Sequence, residues 1–396
     1  MEWLMVNQKR SIRVLVVIVL WCLFLWHGSS LWSQSRDKDT KVDEDASAVS
    51  LRRPAESAAT SKAAALRLPN CSDFHQGSIS KSEKKGIVKI ATIGPKPLVV
   101  GADSEPQEVV DKMIAHWRGR FAQVLPDRPD LIVVPEACDR PAGFSLDKRL
   151  EYYRVRKDQI QNFFARVARE NKCYIVYSAA REMKDGTWRN SSIVLDRSGE
   201  VAGIYNKNHV VIEETTEAGI LCGRDAPIIN CDFGRVALAI CFDLNFDELR
   251  LKYVKDRPDL LIFSSMYHGG LMQAYWAYSC RCHFVGAVAG LPCEIRNPLG
   301  EVIASNTNYF DFAVAEVNLD CCLVHLDYNR ARLKALKAKY GPKVKITDPG
   351  YLGCVLVTSE HETVSVYEMI KEFEIELLDD YMARALTHRH TPGNME

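Results

Sequence analysis

The sequence predicts an α/β fold, and three observations carry the prediction. Apolar runs of strand length alternate with longer amphipathic stretches between about residues 86 and 328. The strand runs, among them LIVVP, RVALAI and DLLIF, are apolar at consecutive positions, as strands covered on both faces require. The segment is also short enough for one domain, since roughly 250 residues can bury a single core.

The elements follow in order. GIVKIATIG and PDLIVVPE read as strands around the helix EVVDKMIAHWRGRFAQVL, and RKDQIQNFFARVARENK is an amphipathic helix before the strand CYIVYSAA. SSIVLDR and VAGIYNK flank a Ser-Gly turn at 198 and 199, which predicts a hairpin. RVALAIC, DELRLKYVKD and DLLIFSS repeat the strand-helix-strand pattern. The helix MQAYWAYSCRCHF then leads into VGAVAG, and EVIASN with FAVAEVNL reads as a closing hairpin. Beyond Tyr328, RARLKALKAKYG is helical and charged, followed by GYLGCVLVT and VYEMIKEFEIELLDDYMARAL. Residues 329–396 are therefore expected to form a C-terminal helical arm or extension, with the last amphipathic segment packed on the same domain.

Composition narrows the function classes. Lys+Arg and Asp+Glu both total 51, for a net charge of zero, and there is no basic block or nucleic-acid motif, so nucleic acid is not an expected partner. Lys9, Arg10 and Arg13 precede an apolar run from Val14 to Trp32 without formal charge. At a rise of about 1.5 Å per residue it reaches roughly 28 Å, close to a bilayer core. Residues 1–32 are thus expected to be a signal anchor or a cleaved signal peptide. Tryptophans toward the outer end favour an anchor, while the short apolar centre with Gly28 and Ser30 suits cleavage. Either way the remainder is expected on the non-cytoplasmic side, membrane-anchored or secreted. Residues 33–85 carry almost no large apolar side chains and read as a disordered linker. The 13 cysteines show no disulfide framework and no zinc spacing; several lie inside apolar strands, as in ENKCYIVYSAA and LGCVLVT, where a buried small side chain is expected.

Three segments carry chemistry: LIVVPEACD around Glu136, YNKNHVV around Lys207 and ALAICFDLNFDELR around Cys241. Each is an apolar strand run ending at a carboxylate, an ammonium or a thiol. A thiol near its free pKa is only partly ionised at neutral pH and needs a base or a local positive charge to become a nucleophile. Glu136 can take that proton, and Lys207 can stabilise the oxyanion formed by attack on an amide or nitrile carbon, with a backbone N–H after Cys241 as second donor. Taken singly, each residue has a plainer reading: a loop carboxylate, a solvated lysine, a buried small side chain.

Together, in the order Glu, Lys, Cys and with these flanks, they resemble the nitrilase superfamily of carbon-nitrogen hydrolases. The resemblance runs from about Gly86 to Tyr328 and includes GIVKIATIG, NSSIVLDRSGEVAGIYNK, FGRVALAICFDLNFDELR and PDLLIFSSMYHGG in the family's order. It implies a four-layer αββα sandwich of two packed mixed sheets, assembled as a homodimer or larger homo-oligomer. By position it implies Cys241 as nucleophile, Glu136 as general base and Lys207 as oxyanion stabiliser. Family members often use a second glutamate between lysine and cysteine. Of Glu213, Glu214 and Glu217, the segment EAGILCG favours Glu217, an acidic residue followed by a glycine turn, with Glu214 as the alternative. Where many relatives carry arginine four residues past the cysteine, this chain has Asn245, which puts any substrate carboxylate held there in doubt.

Phe242 beside the cysteine, and Met266, Tyr267 and His268 after the next strand, are the substrate contacts that the resemblance implies; no metal or organic cofactor is implied. The expected reaction is hydrolysis of a small amide through a Cys241 thioester, releasing ammonia or an amine. An N-acyltransferase with the same three residues, a nitrile hydrolase and an inactive interaction module are the alternatives.

Overall fold

The computed structural model describes residues 86–396, so the expected apolar segment and linker lie outside the described residues. Among the described residues no helix is long and apolar enough to cross a membrane.

The first sheet starts from β1 (Ile87–Ile93), β2 (Leu131–Val133) and β3 (Tyr174–Glu182), which pair in parallel. The expected hairpin, β4 (Trp188–Leu195) and β5 (Val201–Asn206), adds antiparallel strands at one side. Its turn needs Gly199, at φ +82°, because a Cβ there would sit 2.4 Å from the Ala165 carbonyl oxygen. The second sheet has the same plan. β7 (Gly234–Ile240), β8 (Leu260–Ser265) and β9 (His283–Val288) run parallel, with β6 (Ile229–Cys231), β10 (Glu294–Arg296) and β11 (Val302–Ser305) antiparallel at the sides.

EVIASN and FAVAEVNL do not form the expected hairpin. β11 closes the second sheet on β10, whereas β12 (Phe312–Asn318) crosses to the first and pairs with β1, Ile90 opposite Ala315. Both runs have strand periodicity, but periodicity does not say which edge a strand joins.

Period-2 alternation sorts the core into layers. Ile90, Leu131, Val133 and Val176 point toward the second sheet, in one cluster with Leu238, Ile240, Leu260 and Ile262. Their chain neighbours Ala91, Ile132, Val134 and Ile175 face the other way, onto α1 (Pro106–Val124), α2 (Leu146–Arg156) and α3 (Gln159–Asn171) through Met113, Trp117, Phe121, Tyr152 and Phe164. Polar bonds cross between the sheets as well: Thr92 Oγ1 donates to the Gly286 carbonyl at 2.9 Å, and Ser264 Oγ to that of Val134 at 2.9 Å. After β5 comes the short α4 (Ile212–Thr216), and α5 (Asp247–Asp256) and α6 (Leu271–Cys280) pack against the second sheet through Tyr253, Trp276 and Ala277. The result is a mixed α/β sandwich with both sheets clad by helices.

Strand pairing runs across residue 328, where the extension was expected to begin. β13 (Cys321–His325) pairs with β15 (Cys354–Ser359), which pairs with β14 (Val344–Thr347), while α7 (Arg330–Tyr340), α8 (Val366–Glu372) and α9 (Leu378–Arg389) complete the C-terminal part. The extension is thus sheet as well as helix. Arg281 Nε holds Asp379 at 2.9 Å and Leu378 is buried, so the start of the last helix packs on the same domain. Among the described residues the cysteines are free thiols, with Cys173 and Cys354 buried in the strand setting expected for them.

Candidate active site

Glu136, Lys207 and Cys241 each follow the end of a strand, β2, β5 and β7 in turn. Ala137 and Cys241 adopt left-handed backbones, at φ +46° and +47°. Such a conformation costs a residue with a Cβ about 1–3 kcal/mol and clusters at functional sites. At Cys241 it converts the extended strand into the 3₁₀ turn Cys241–Asn245, lifting the side chain out of the sheet.

Lys207 is 1% exposed and Glu136 4%. The Lys207 ammonium donates to Glu136 Oε1 at 3.0 Å and to Glu214 Oε2 at 2.7 Å. A lysine buried this deeply requires such counter-charges, because an unpaired ammonium would deprotonate. Burial by itself lowers its pKa, but Glu136 and Glu214 outweigh that and raise it, so the ammonium stays charged. Burial pushes Glu214 up, yet Lys207, the Val211 N–H and Asn190 bring its carboxyl below the usual range.

Asn190, on β4, completes the cluster. Its side-chain Nδ2 donates to Glu136 Oε1 at 2.8 Å and to Glu214 Oε1 at 3.0 Å, and its backbone carbonyl accepts the Lys207 backbone N–H at 2.8 Å. Two carboxylates facing one amide fix its orientation, NH₂ toward them. Sequence reading missed Asn190; it lies in the polar first half, WRNSS, of a strand whose apolar part begins only at Ile193.

The Cys241 thiol lies within electrostatic reach of the Glu136 carboxylate, the Lys207 ammonium and the Met266 backbone N–H. Burial first, then the Glu136 charge, push its pKa up to about 12, with Lys207 pulling the other way. The resting group is a neutral thiol with the Glu136 carboxylate close enough to hold its proton on. Glu136 also lines a cleft with Lys96, His116, Trp117, Cys138 and Met266.

Glu217 does not join this cluster. It lies at the C-terminal end of α4 and is exposed, whereas Glu214, on that helix, reaches Lys207. Tyr267 and His268 follow Met266 directly. The Tyr267 hydroxyl accepts from Asn245 Nδ2 at 3.0 Å, so the neutral residue in the arginine position anchors a tyrosine near the thiol. His268 turns its Nε2 to 3.6 Å from Glu294. Phe242 makes an edge contact with Phe246, ring centroids 5.0 Å apart.

The carbon-nitrogen hydrolase family model matches residues 89–319, more than half of the chain and all of this site. The chain belongs to the carbon-nitrogen hydrolase family. It is 20% identical to a hydrolase of Schizosaccharomyces pombe over 213 residues, covering 48% of this chain and 66% of that protein. With the deaminated glutathione amidase of Rattus norvegicus it shares 25% over 155 residues, 33% of this chain and 47% of that one. The chain thus spans less than two thirds of these curated relatives' own lengths. Among solved structures, an amidase from Nesterenkonia sp. superposes with a TM-score of 0.50 at 16% identity, covering 67% of this chain and 99% of the amidase, a likeness of fold.

Proposed function

We propose that this hydrolase cleaves the carbon-nitrogen bond of a small amide through a thioester at Cys241. The observation that carries the reading is the buried cluster in which the Glu136 carboxylate accepts from the Lys207 ammonium at 3.0 Å, with the Cys241 thiol under the influence of both charges. Glu136 takes the thiol proton as sulfur attacks the carbonyl carbon, and the carbonyl oxygen, now an anion, is held by Lys207 and a backbone N–H of the turn. Glu136 returns the proton to the leaving nitrogen, the C–N bond breaks, and ammonia or an amine departs. Water, deprotonated by Glu136, then attacks the thioester; the acid leaves and the thiol is regenerated. Glu214 keeps Lys207 charged and in place.

Two likenesses support an amide over a nitrile. One curated relative is a deaminated glutathione amidase. A mutant of the Nesterenkonia sp. AN1 amidase carries the acetamide moiety of fluoroacetamide added covalently at its active-site cysteine. The test is ammonia release from a series of aliphatic amides, acetamide to valeramide, by the full chain and by Cys241→Ala. Release by the native chain alone is expected; a fully active Cys241→Ala protein refutes the assignment.

The reading includes export: residues 14–32 tether the enzyme to a membrane, or are cleaved on secretion, with the site on the non-cytoplasmic side.

A further inference from the structure

Asp243, two residues past Cys241, is fully buried, and four donors converge on its carboxylate. Oδ2 accepts the Ile240 N–H at 3.0 Å and the Tyr205 hydroxyl at 2.7 Å. Oδ1 accepts the His209 N–H at 2.8 Å and lies 3.0 Å from His209 Nδ1. Ile240 immediately precedes Cys241, while Tyr205 and His209 lie two residues before and two after Lys207.

One buried side chain therefore ties together the strand end that presents the thiol and the segment that presents the ammonium. The Ile240 bond closes the turn around the left-handed Cys241. The Tyr205 hydroxyl also accepts the Asn208 N–H at 3.1 Å, extending the tie to the residue after Lys207. A second link runs in parallel, since the His209 ring stacks on Phe246 with centroids 4.0 Å apart and planes 6° from parallel.

Filling space here would not need a carboxylate, whose burial is costly without a full counter-ion. Binding two segments at once does need it. Each oxygen takes one backbone N–H, one from either side, and an asparagine has a single acceptor oxygen. In either orientation an amide would set its NH₂ against the N–H of Ile240 or of His209.

We propose that Asp243 is a positioning residue that sets the Cys241 thiol relative to the Lys207 ammonium by binding both segments simultaneously. The inference rests on the roles assigned to those two residues above. Asp243 takes no part in proton transfer; it maintains a separation on which attack and oxyanion binding jointly depend, and displacement of a reacting group by about 1 Å can cost 10²-fold in rate.

The experiment compares the full native chain with Asp243→Asn and Tyr205→Phe. Three quantities are read: the iodoacetamide alkylation rate of Cys241 by peptide mass spectrometry, kcat and KM for butyramide from ammonia release, and the thermal midpoint. Asp243→Asn is expected to alkylate about tenfold more slowly and to lose about 10²-fold in kcat, with KM within about twofold of native. Tyr205→Phe removes the hydroxyl's tie before Lys207, leaves the His209 N–H tie after it and spares the Ile240 bond, so alkylation stays at the native rate while kcat falls about tenfold. A role confined to stability would move the midpoint and leave this split absent.

A folded Asp243→Asn protein with native alkylation and kcat overturns the proposal, and so does a Tyr205→Phe protein with native kcat. If Asp243→Asn does not fold, Tyr205→Phe decides. A fully active Cys241→Ala protein would instead remove the assignment beneath the proposal, so the two failures are distinguishable.

Discussion

Replacing Glu214 by glutamine separates the structure from the sequence reading most sharply, because sequence favoured Glu217. The amide has nearly the carboxylate's shape but one acceptor in place of two. Oε2 of Glu214 accepts from Lys207 at 2.7 Å and from the Val211 N–H at 3.0 Å, while Oε1 accepts from Asn190 at 3.0 Å. The milder orientation keeps oxygen on Lys207 and turns NH₂ toward Asn190. That amide also serves Glu136 at 2.8 Å, so the disturbance passes to the proposed base. Losing one charge-assisted hydrogen bond costs about 1.5–3 kcal/mol. If the loss falls on the transition state, kcat drops about ten- to 150-fold. The assay is steady-state ammonia release from an amide that the native chain hydrolyses, with circular dichroism to verify folding. Glu217→Gln, on an exposed residue, is the paired control and should stay within about twofold of native. The reasoning is refuted if Glu217→Gln loses as much activity as Glu214→Gln, or if Glu214→Gln turns over at the native rate.

Two further predictions concern the thiol and the N-terminus. Burial and the Glu136 charge both hold the Cys241 proton on, and Lys207 pulls it off. Glu136→Gln deletes the charge and keeps the lysine, so the pH dependence of Cys241 alkylation should move to lower pH while turnover falls by about 10²-fold or more for want of a proton carrier; a curve that does not move removes Glu136 from electrostatic reach of the thiol. A chain beginning at Ser80 retains β1 and every site residue and should fold and turn over like the full chain, which should itself sediment with membranes. Loss of folding would make the preceding segment part of the core, and a secreted product beginning near Leu31 would replace the anchor by a cleaved leader.

The fold was legible where one physical signal sufficed. Apolar strands covered on both faces and amphipathic helices identified β1, β2, β3, β7 and β8 with the helices α1, α3 and α5, while α2 and α4 went unread. The Ser-Gly turn fixed one hairpin because only a turn residue free of Cβ fits against the Ala165 carbonyl. What failed was pairing. β11 and β12 are close in sequence yet join different sheets, and β13 finds its partner about thirty residues on, across the expected domain limit. These choices depend on which sheet edge is open after everything else has packed, a global quantity that no local window contains.

The site divides in the same way. Glu136, Lys207 and Cys241 were legible because each interrupts an apolar run with a group that needs a reason to be there. Glu214 was not separable from Glu217 by composition, since both follow the lysine in a short acidic stretch. Geometry separates them: three residues advance a helix by about 4.5 Å, well beyond the tolerance of a hydrogen bond. Asn190 and Asp243 gave less signal still. Asn190 reads as the polar start of a strand, and Asp243 as an ordinary residue of a turn. Their importance lies in the number of donors and acceptors that meet at one buried point, and those partners come from segments up to 54 residues apart. A sequence can announce a reactive group by placing it at the end of a strand; the groups that hold it there are identified only by what they touch.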